Sequence, residues 1–178
     1  MKILHSFCMF VVGMFSFLAS SCISDKDSRP DSGVNVGDDL PLFQITLNDN
    51  TTFCSSELNG KIGVIVFFNT SCPDCVEELP EINHLFLENP DINFLCIARN
   101  EDFESISRFW KSHNLSLPFV PAKTYPYNLF ATSGIPRIYI SYSPDASVRA
   151  HIVARFSDNP PPSRQELQQI LNSLKDES

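Results

Sequence analysis

The sequence predicts one α/β domain, a three-layer sandwich in which helices cover both faces of a mixed β-sheet. Two apolar runs, Ile62 to Phe68 (IGVIVFF) and Asp91 to Ala98 (DINFLCIA), have the character of strands buried on both faces. Between them Val76, Leu79, Ile82, Leu85 and Phe86 recur at helical spacing, which makes a β-α-β unit. Arg137 to Ser141 and Arg149 to Arg155 read as two further strands, separated by the turn composition Ser143-Pro144-Asp145, and suit an antiparallel pair. The 178 residues are 43% hydrophobic and 19% charged, a balance that can fill such a core.

The chain begins with a segment that is not part of that fold. Lys2 precedes an apolar run from Phe7 to Leu18, and Ala19-Ser20-Ser21-Cys22 follows, the order of an export signal with a small-residue cleavage site. The run is shorter than the ~20 residues that span a bilayer, so residues 1–21 are expected to be a signal peptide. The small residues before Cys22 resemble the lipobox of bacterial lipoproteins. That resemblance implies lipidation of Cys22 and a place in the cell envelope, anchored to a membrane and facing the periplasm or exterior. Stable anchoring takes two or more acyl chains.

Residues 22–39 include ISDKDSRPDSGVNVGDD, with little to bury, and are expected to form a flexible tether. The folded domain is then residues 40–178. Loss of residues 1–21 removes Lys2 and no acid, leaving 12 of 13 basic residues against 21 acidic ones, a formal charge of −9. That balance argues against nucleic acid as a partner, because such binding depends on clustered cations.

Within the domain, Phe43, Ile45 and Leu47 alternate with polar residues, and Thr51-Thr52-Phe53 resumes after Asn48-Asp49-Asn50, which predicts an outer hairpin. The buried strand and helix of the β-α-β unit come next. Phe103, Ile106 and Trp110 give the following helix one apolar stripe, ending near His113-Asn114. After the antiparallel pair and Pro160-Pro161-Pro162, Ser163 and Glu166 have the spacing of a capping box. Leu167, Ile170, Leu171 and Leu174 make the buried face of a closing helix.

The chemistry concentrates where the first buried strand meets its helix. Of six cysteines, Cys8 lies in the signal segment and Cys22 at the anchor, which leaves Cys54, Cys72, Cys75 and Cys96. Only Cys72-Pro73-Asp74-Cys75 is a local pair, and its strand-to-helix position gives a C-x-x-C its redox meaning. At the helix start, free N–H groups and the positive end of the macrodipole favour a thiolate at Cys72, the candidate nucleophile. Pro73 suits the first helical position, and Cys75, one turn on, can resolve a mixed disulfide. Zinc would call for a second ligand pair, which Cys54, Cys96, His84 and His113 do not provide in sequence. A static disulfide across two residues would close too small a loop to remove much chain entropy. The expected cofactor is therefore none beyond the Cys72-Cys75 disulfide itself, and no metal is expected.

FFNTSCPDCVEELP, from Phe67 to Pro80, resembles the active-site segment of thioredoxin-like thiol-disulfide oxidoreductases of the TlpA/ResA group. Val36-Gly37 through Phe43, Leu58-Asn59-Gly60-Lys61 and Ser133-Gly134-Ile135-Pro136 follow the family's order, so the resemblance covers roughly residues 36 to 175. It implies a thioredoxin-like fold with an N-terminal β-hairpin extension. It implies that Pro136 is a cis-proline and that the Ile135 backbone is offered to an extended substrate, with Pro73 and Asp74 also at the substrate surface. Glu78 corresponds to the family's glutamate and could relay a proton to or from Cys75. The implied partners are exported protein disulfides or thiols and an upstream membrane electron donor, with the protein itself a monomer.

Asp74 places a negative charge between the cysteines, which favours the disulfide form and a reductant. Ser71 stands where the family usually has an aromatic residue. Arg137, after Pro136, is expected to border the groove and favour acidic partners. Cys96 reads as an inert buried thiol and Cys54 as exposed. The peroxiredoxin pattern PxxxTxxC fails, since Ile65 and Asn69 occupy its positions. The other readings are a disulfide oxidant or isomerase, and a non-catalytic module that binds a protein ligand or metal in the groove by Pro136.

Overall fold

The computed structural model describes residues 33–47, 49–157 and 161–177. The signal segment, Cys22 and the tether up to residue 32 lie outside the described residues. No helix among those described is long and apolar enough to cross a membrane.

Among the described residues, seven strands and three α-helices follow the order the sequence indicates, with additions. Strands β1 (Gln44–Thr46) and β2 (Thr52–Cys54) form the antiparallel hairpin, a sheet of its own. The main sheet contains β3 (Gly63–Phe68), β4 (Asn93–Ala98), β5 (Phe119–Val120), β6 (Arg137–Tyr142) and β7 (His151–Ser157), in the order β5-β4-β3-β6-β7. β3 pairs parallel with β4 and antiparallel with β6, so the sheet is mixed. Helix α1 (Pro73–Glu88) follows β3, α2 (Phe103–Ser112) follows β4, and α3 (Arg164–Asp176) closes the chain.

The alternation of side chains along β3 sorts the core into two halves. Val64, Val66 and Phe68 face one side, where Leu79 and Ile82 of α1, Ile106 and Trp110 of α2, and Leu167 and Leu171 of α3 pack against them. Ile65 and Phe67 face the other, covered by Leu40, Phe43 and Ile45, by Leu58 from a 3₁₀ turn, and by Tyr127 and Phe130. All three α-helices thus share one face. The expectation of helices on both faces is corrected: the third layer is the N-terminal segment, the hairpin and short 3₁₀ turns. The reason is composition, since the connection from β5 to β6 carries Pro121, Pro126, Gly134 and Pro136 and holds only a three-residue 3₁₀ turn, Tyr127–Leu129, where a helix would have to lie.

Helix ends form as their sequences require. Ser163 Oγ accepts the Glu166 N–H at 3.2 Å and caps α3, and Asp102 Oδ1 accepts the Ser105 N–H at 2.8 Å and caps α2. Pro80 lies inside α1, where its ring leaves the Val76 carbonyl without the usual helical donor.

The end of the expected tether is not free. The Val34 N–H donates to Phe130 O, Gly37 N–H to Ile152 O and Leu40 N–H to Ala150 O, each at 2.8 Å, and Asp39 bridges His151 antiparallel. Arg149 donates from Nε and Nη2 to Leu40 O, and Arg155 Nη1 donates to Val34 O. Residues 33–39 therefore form a strap along β7. Their polar composition conceals this because it is their backbone that pairs, satisfying part of an edge strand.

Candidate active site

Cys72 is the N-cap of α1, and Pro73 occupies the first helical position. The Cys72 thiol is half-buried. Its Sγ accepts the Cys75 N–H at 3.4 Å and donates to Ile135 O at 3.7 Å. The Ile135–Pro136 peptide is cis, as the resemblance implies, and Tyr125–Pro126 is a second cis bond that the sequence reading missed. Pro73 and Asp74 are exposed beside Cys72, Ile135 is half-buried and Pro136 buried.

Cys75 has no exposed surface. Burial pushes its thiol well above the ordinary range, and the hydrogen bond with Cys72 and the charges of Cys72 and Asp74 add to that. The two sulfurs are therefore unequal: one is reachable, the other is a protected thiol. Cys96 is likewise fully buried and held protonated by burial alone, as its apolar strand suggests. Cys54 is half-buried at the start of a 3₁₀ turn, less open than expected.

Glu78 is only 5% exposed, one turn beyond Cys75. Burial, assisted by the charge of Glu81, raises its carboxyl from 4.5 to about 7. Its Oε1 finds no hydrogen-bond partner among the described residues. It is thus a group poised to hold or give up a proton near neutral pH.

Arg137 corrects an expectation. It is 4% exposed, and its Nε donates to Ser133 O at 2.8 Å, so it holds the loop before Pro136 from inside. It is no cation on the groove rim. β6 runs with both faces covered, and a long side chain there folds back onto the backbone.

The sequence reading missed what fixes the cysteine loop. Glu101 accepts the Thr70 N–H at 2.9 Å and also the Thr70 hydroxyl. Asn69 Oδ1 accepts the Ser71 N–H at 2.9 Å, while Asn69 Nδ2 donates to Arg99 O at 2.9 Å. The Glu101 and Arg99 contacts span about thirty residues in sequence, and no local pattern announces them. Among the described residues no group of three or more His, Cys, Asp or Glu side chains is placed to hold a metal ion.

Comparison with known proteins agrees with this geometry. The Redoxin family model matches residues 35–129, just over half of the chain and inclusive of both cysteines. The soluble secreted antigen MPT53 of Mycobacterium tuberculosis is 29% identical over 81 residues, 46% of this chain and 47% of that protein. The chain thus spans about half the length of the curated relatives it matches. A solution structure from Bacteroides thetaiotaomicron, named as a candidate protein disulfide isomerase, superposes with a TM-score of 0.70 at 25% identity, covering 79% of this chain and 90% of that one. A thiol:disulfide interchange protein of the thioredoxin family from Chlorobium tepidum gives 0.65 at 22% identity, over 76% and 94%. A secreted disulfide oxidoreductase of M. tuberculosis gives 0.62 at 20% identity, over 74% and 96%. The chain belongs to the Redoxin family, and its fold is that of the thioredoxin-like thiol-disulfide oxidoreductases.

Proposed function

We propose that the protein is an exported thiol-disulfide oxidoreductase that reduces disulfides in exported protein partners through Cys72 and Cys75. The observation that carries this reading is the asymmetric pair. A reachable thiol caps a helix against the carbonyl of a cis-proline loop, and a buried, protonated thiol waits one turn away. The Cys72 thiolate attacks one sulfur of the partner disulfide, and the partner's other sulfur leaves and takes up a proton. Cys75, losing its proton towards Glu78, then attacks Cys72 Sγ and breaks the mixed disulfide. The partner gains two electrons and two protons in all, and the enzyme is left with a Cys72-Cys75 disulfide.

Pro73, Asp74 and the Ile135–Pro136 edge form the surface on which an extended partner segment would lie. A membrane electron donor would return the pair to dithiols, and acylated Cys22 would keep the domain at the membrane. Export is supported by the relative named a secreted antigen and by the structural neighbour named a secreted oxidoreductase.

Replacing Cys75 with Ser should trap partners on Cys72 as mixed disulfides that a reductant releases. If Cys75→Ser captures nothing and Cys72→Ser behaves identically, the chain is a binding module and exchange is excluded. Direction is read from the midpoint potential of the pair in thiol-disulfide buffers, with Cys54 and Cys96 replaced by Ser. A value near or below about −220 mV fits a reductant, and one near −120 to −180 mV would make the protein an oxidant or isomerase.

A further inference from the structure

The residue after β4 touches both sides of the reactive cleft. Arg99 donates its N–H to Phe68 O at 2.7 Å and accepts Asn69 Nδ2 on its carbonyl at 2.9 Å, so its backbone is stitched to the segment leading into Cys72. Its guanidinium carbon lies 4.4 Å from the centroid of the Tyr127 ring, within cation–π range. Tyr127 is 2% exposed, and its hydroxyl donates to Gly134 O at 2.7 Å. Gly134 immediately precedes Ile135, whose carbonyl takes the Cys72 thiol.

We propose that Arg99 and Tyr127 form a positioning bracket that sets the separation between Cys72 and the Ile135–Pro136 edge. On the oxidoreductase reading, on which this inference rests, a partner's disulfide must be seated between those two walls. Attack at sulfur needs the three sulfurs aligned, and misplacement by about 1 Å can cost on the order of 100-fold in rate. Arg99 holds one wall with its backbone and the other, through Tyr127, with its side chain. The bracket matters for a bulky partner that uses both walls. A small disulfide needs only access to Cys72 Sγ.

The test compares Tyr127→Phe, Arg99→Met and Arg99→Lys with the wild type in the full chain. Reduction of insulin disulfides is measured beside reaction with the small disulfide 5,5′-dithiobis(2-nitrobenzoate). Tyr127→Phe and Arg99→Met should lower kcat/KM for insulin about tenfold, chiefly through kcat, while the small-disulfide rate stays within about twofold. Arg99→Lys, which keeps the cation over the ring, should recover most of the loss. Equal losses with both substrates, or an unchanged insulin rate, would overturn the bracket. A wild type that reacts with the small reagent but never reduces insulin would count against the oxidoreductase reading instead. Amide hydrogen exchange then decides the bracket by itself: faster exchange at Gly134 and Ile135 in Tyr127→Phe, with β3 and β4 unchanged, supports it, and identical exchange refutes it.

Discussion

Replacing Glu78 with Gln should make the protein more stable, and increasingly so as pH rises. The carboxyl is 5% exposed and its pKa is raised by burial first and by Glu81 second, from 4.5 to about 7. In the unfolded chain it ionises near 4.5, so between 4.5 and about 7 the native state holds a proton that the unfolded state has released. Stability is therefore fully present below pH 4.5 and falls as pH rises through about 7. At about 1.4 kcal/mol per pH unit the loss amounts to about 3 kcal/mol. Gln mimics the protonated acid at every pH and removes this slope. Urea unfolding of reduced wild type and Glu78→Gln, at intervals from pH 4.5 to 8, gives the difference directly. The two should nearly coincide at pH 4.5 and separate by about 3 kcal/mol at pH 8, about 1.5 M in urea midpoint. A wild-type-to-variant difference that stays flat over that range would refute the assignment of a buried, neutral-pH carboxyl. The same variant lacks a proton acceptor near Cys75, so release of the mixed disulfide should slow even though the fold is stronger.

Two further outcomes follow from the burial of particular side chains. Brief iodoacetamide treatment at pH 8 should label Cys72 and then Cys54, while Cys75 and Cys96 react at least about 100-fold more slowly until urea is added, because each pH unit of upward shift removes about tenfold of thiolate. Mass spectrometry of peptides after a time course reads the order. Trp110 Nε1 donates to Leu117 O at 2.8 Å with the indole against Phe68 and Phe119. Trp110→Phe should cost about 1–2 kcal/mol through the orphaned carbonyl, and Trp110→Ala about 3–5 kcal/mol through the cavity, both read by circular dichroism in urea.

The elements legible in the sequence were those whose signal is local. β3 announces itself as an unbroken apolar run because both of its faces are buried, and α3 because Ser163 caps a clear stripe of leucines and isoleucine. The cysteine pair was legible because a C-x-x-C at a strand-to-helix junction has few other uses. Long-range contacts left no comparable mark. β5 has two residues and no pattern, and the strap pairs through backbone atoms that any side chains could accompany. The family likeness starting at Val36 was the one signal that the domain begins before Leu40. Arg137 misled because its position next to Pro136 says nothing about which way a long side chain turns. Glu101 and Arg99 sit far from Cys72 in sequence and meet its loop, as Tyr127 meets Gly134, only once the sheet is assembled.

The direction of the strap fixes how the domain is presented. From Leu40 back to Val34 the chain passes Ala150, Ile152 and then Arg155, whose partner on β6 is Tyr139, two residues from Arg137 and three from the cis-proline. Gly33, the first described residue, therefore lies at the pole that carries Cys72. α3 runs the other way, and its Lys175 lines a cavity of about 360 Å³ with Lys61 and Asp91 at the opposite end of the sheet. A bulky group joined directly to Gly33 would stand at the same end of the sheet as the reacting thiol and compete with its partners for space. The same attachment after α3 would leave that thiol facing open solution.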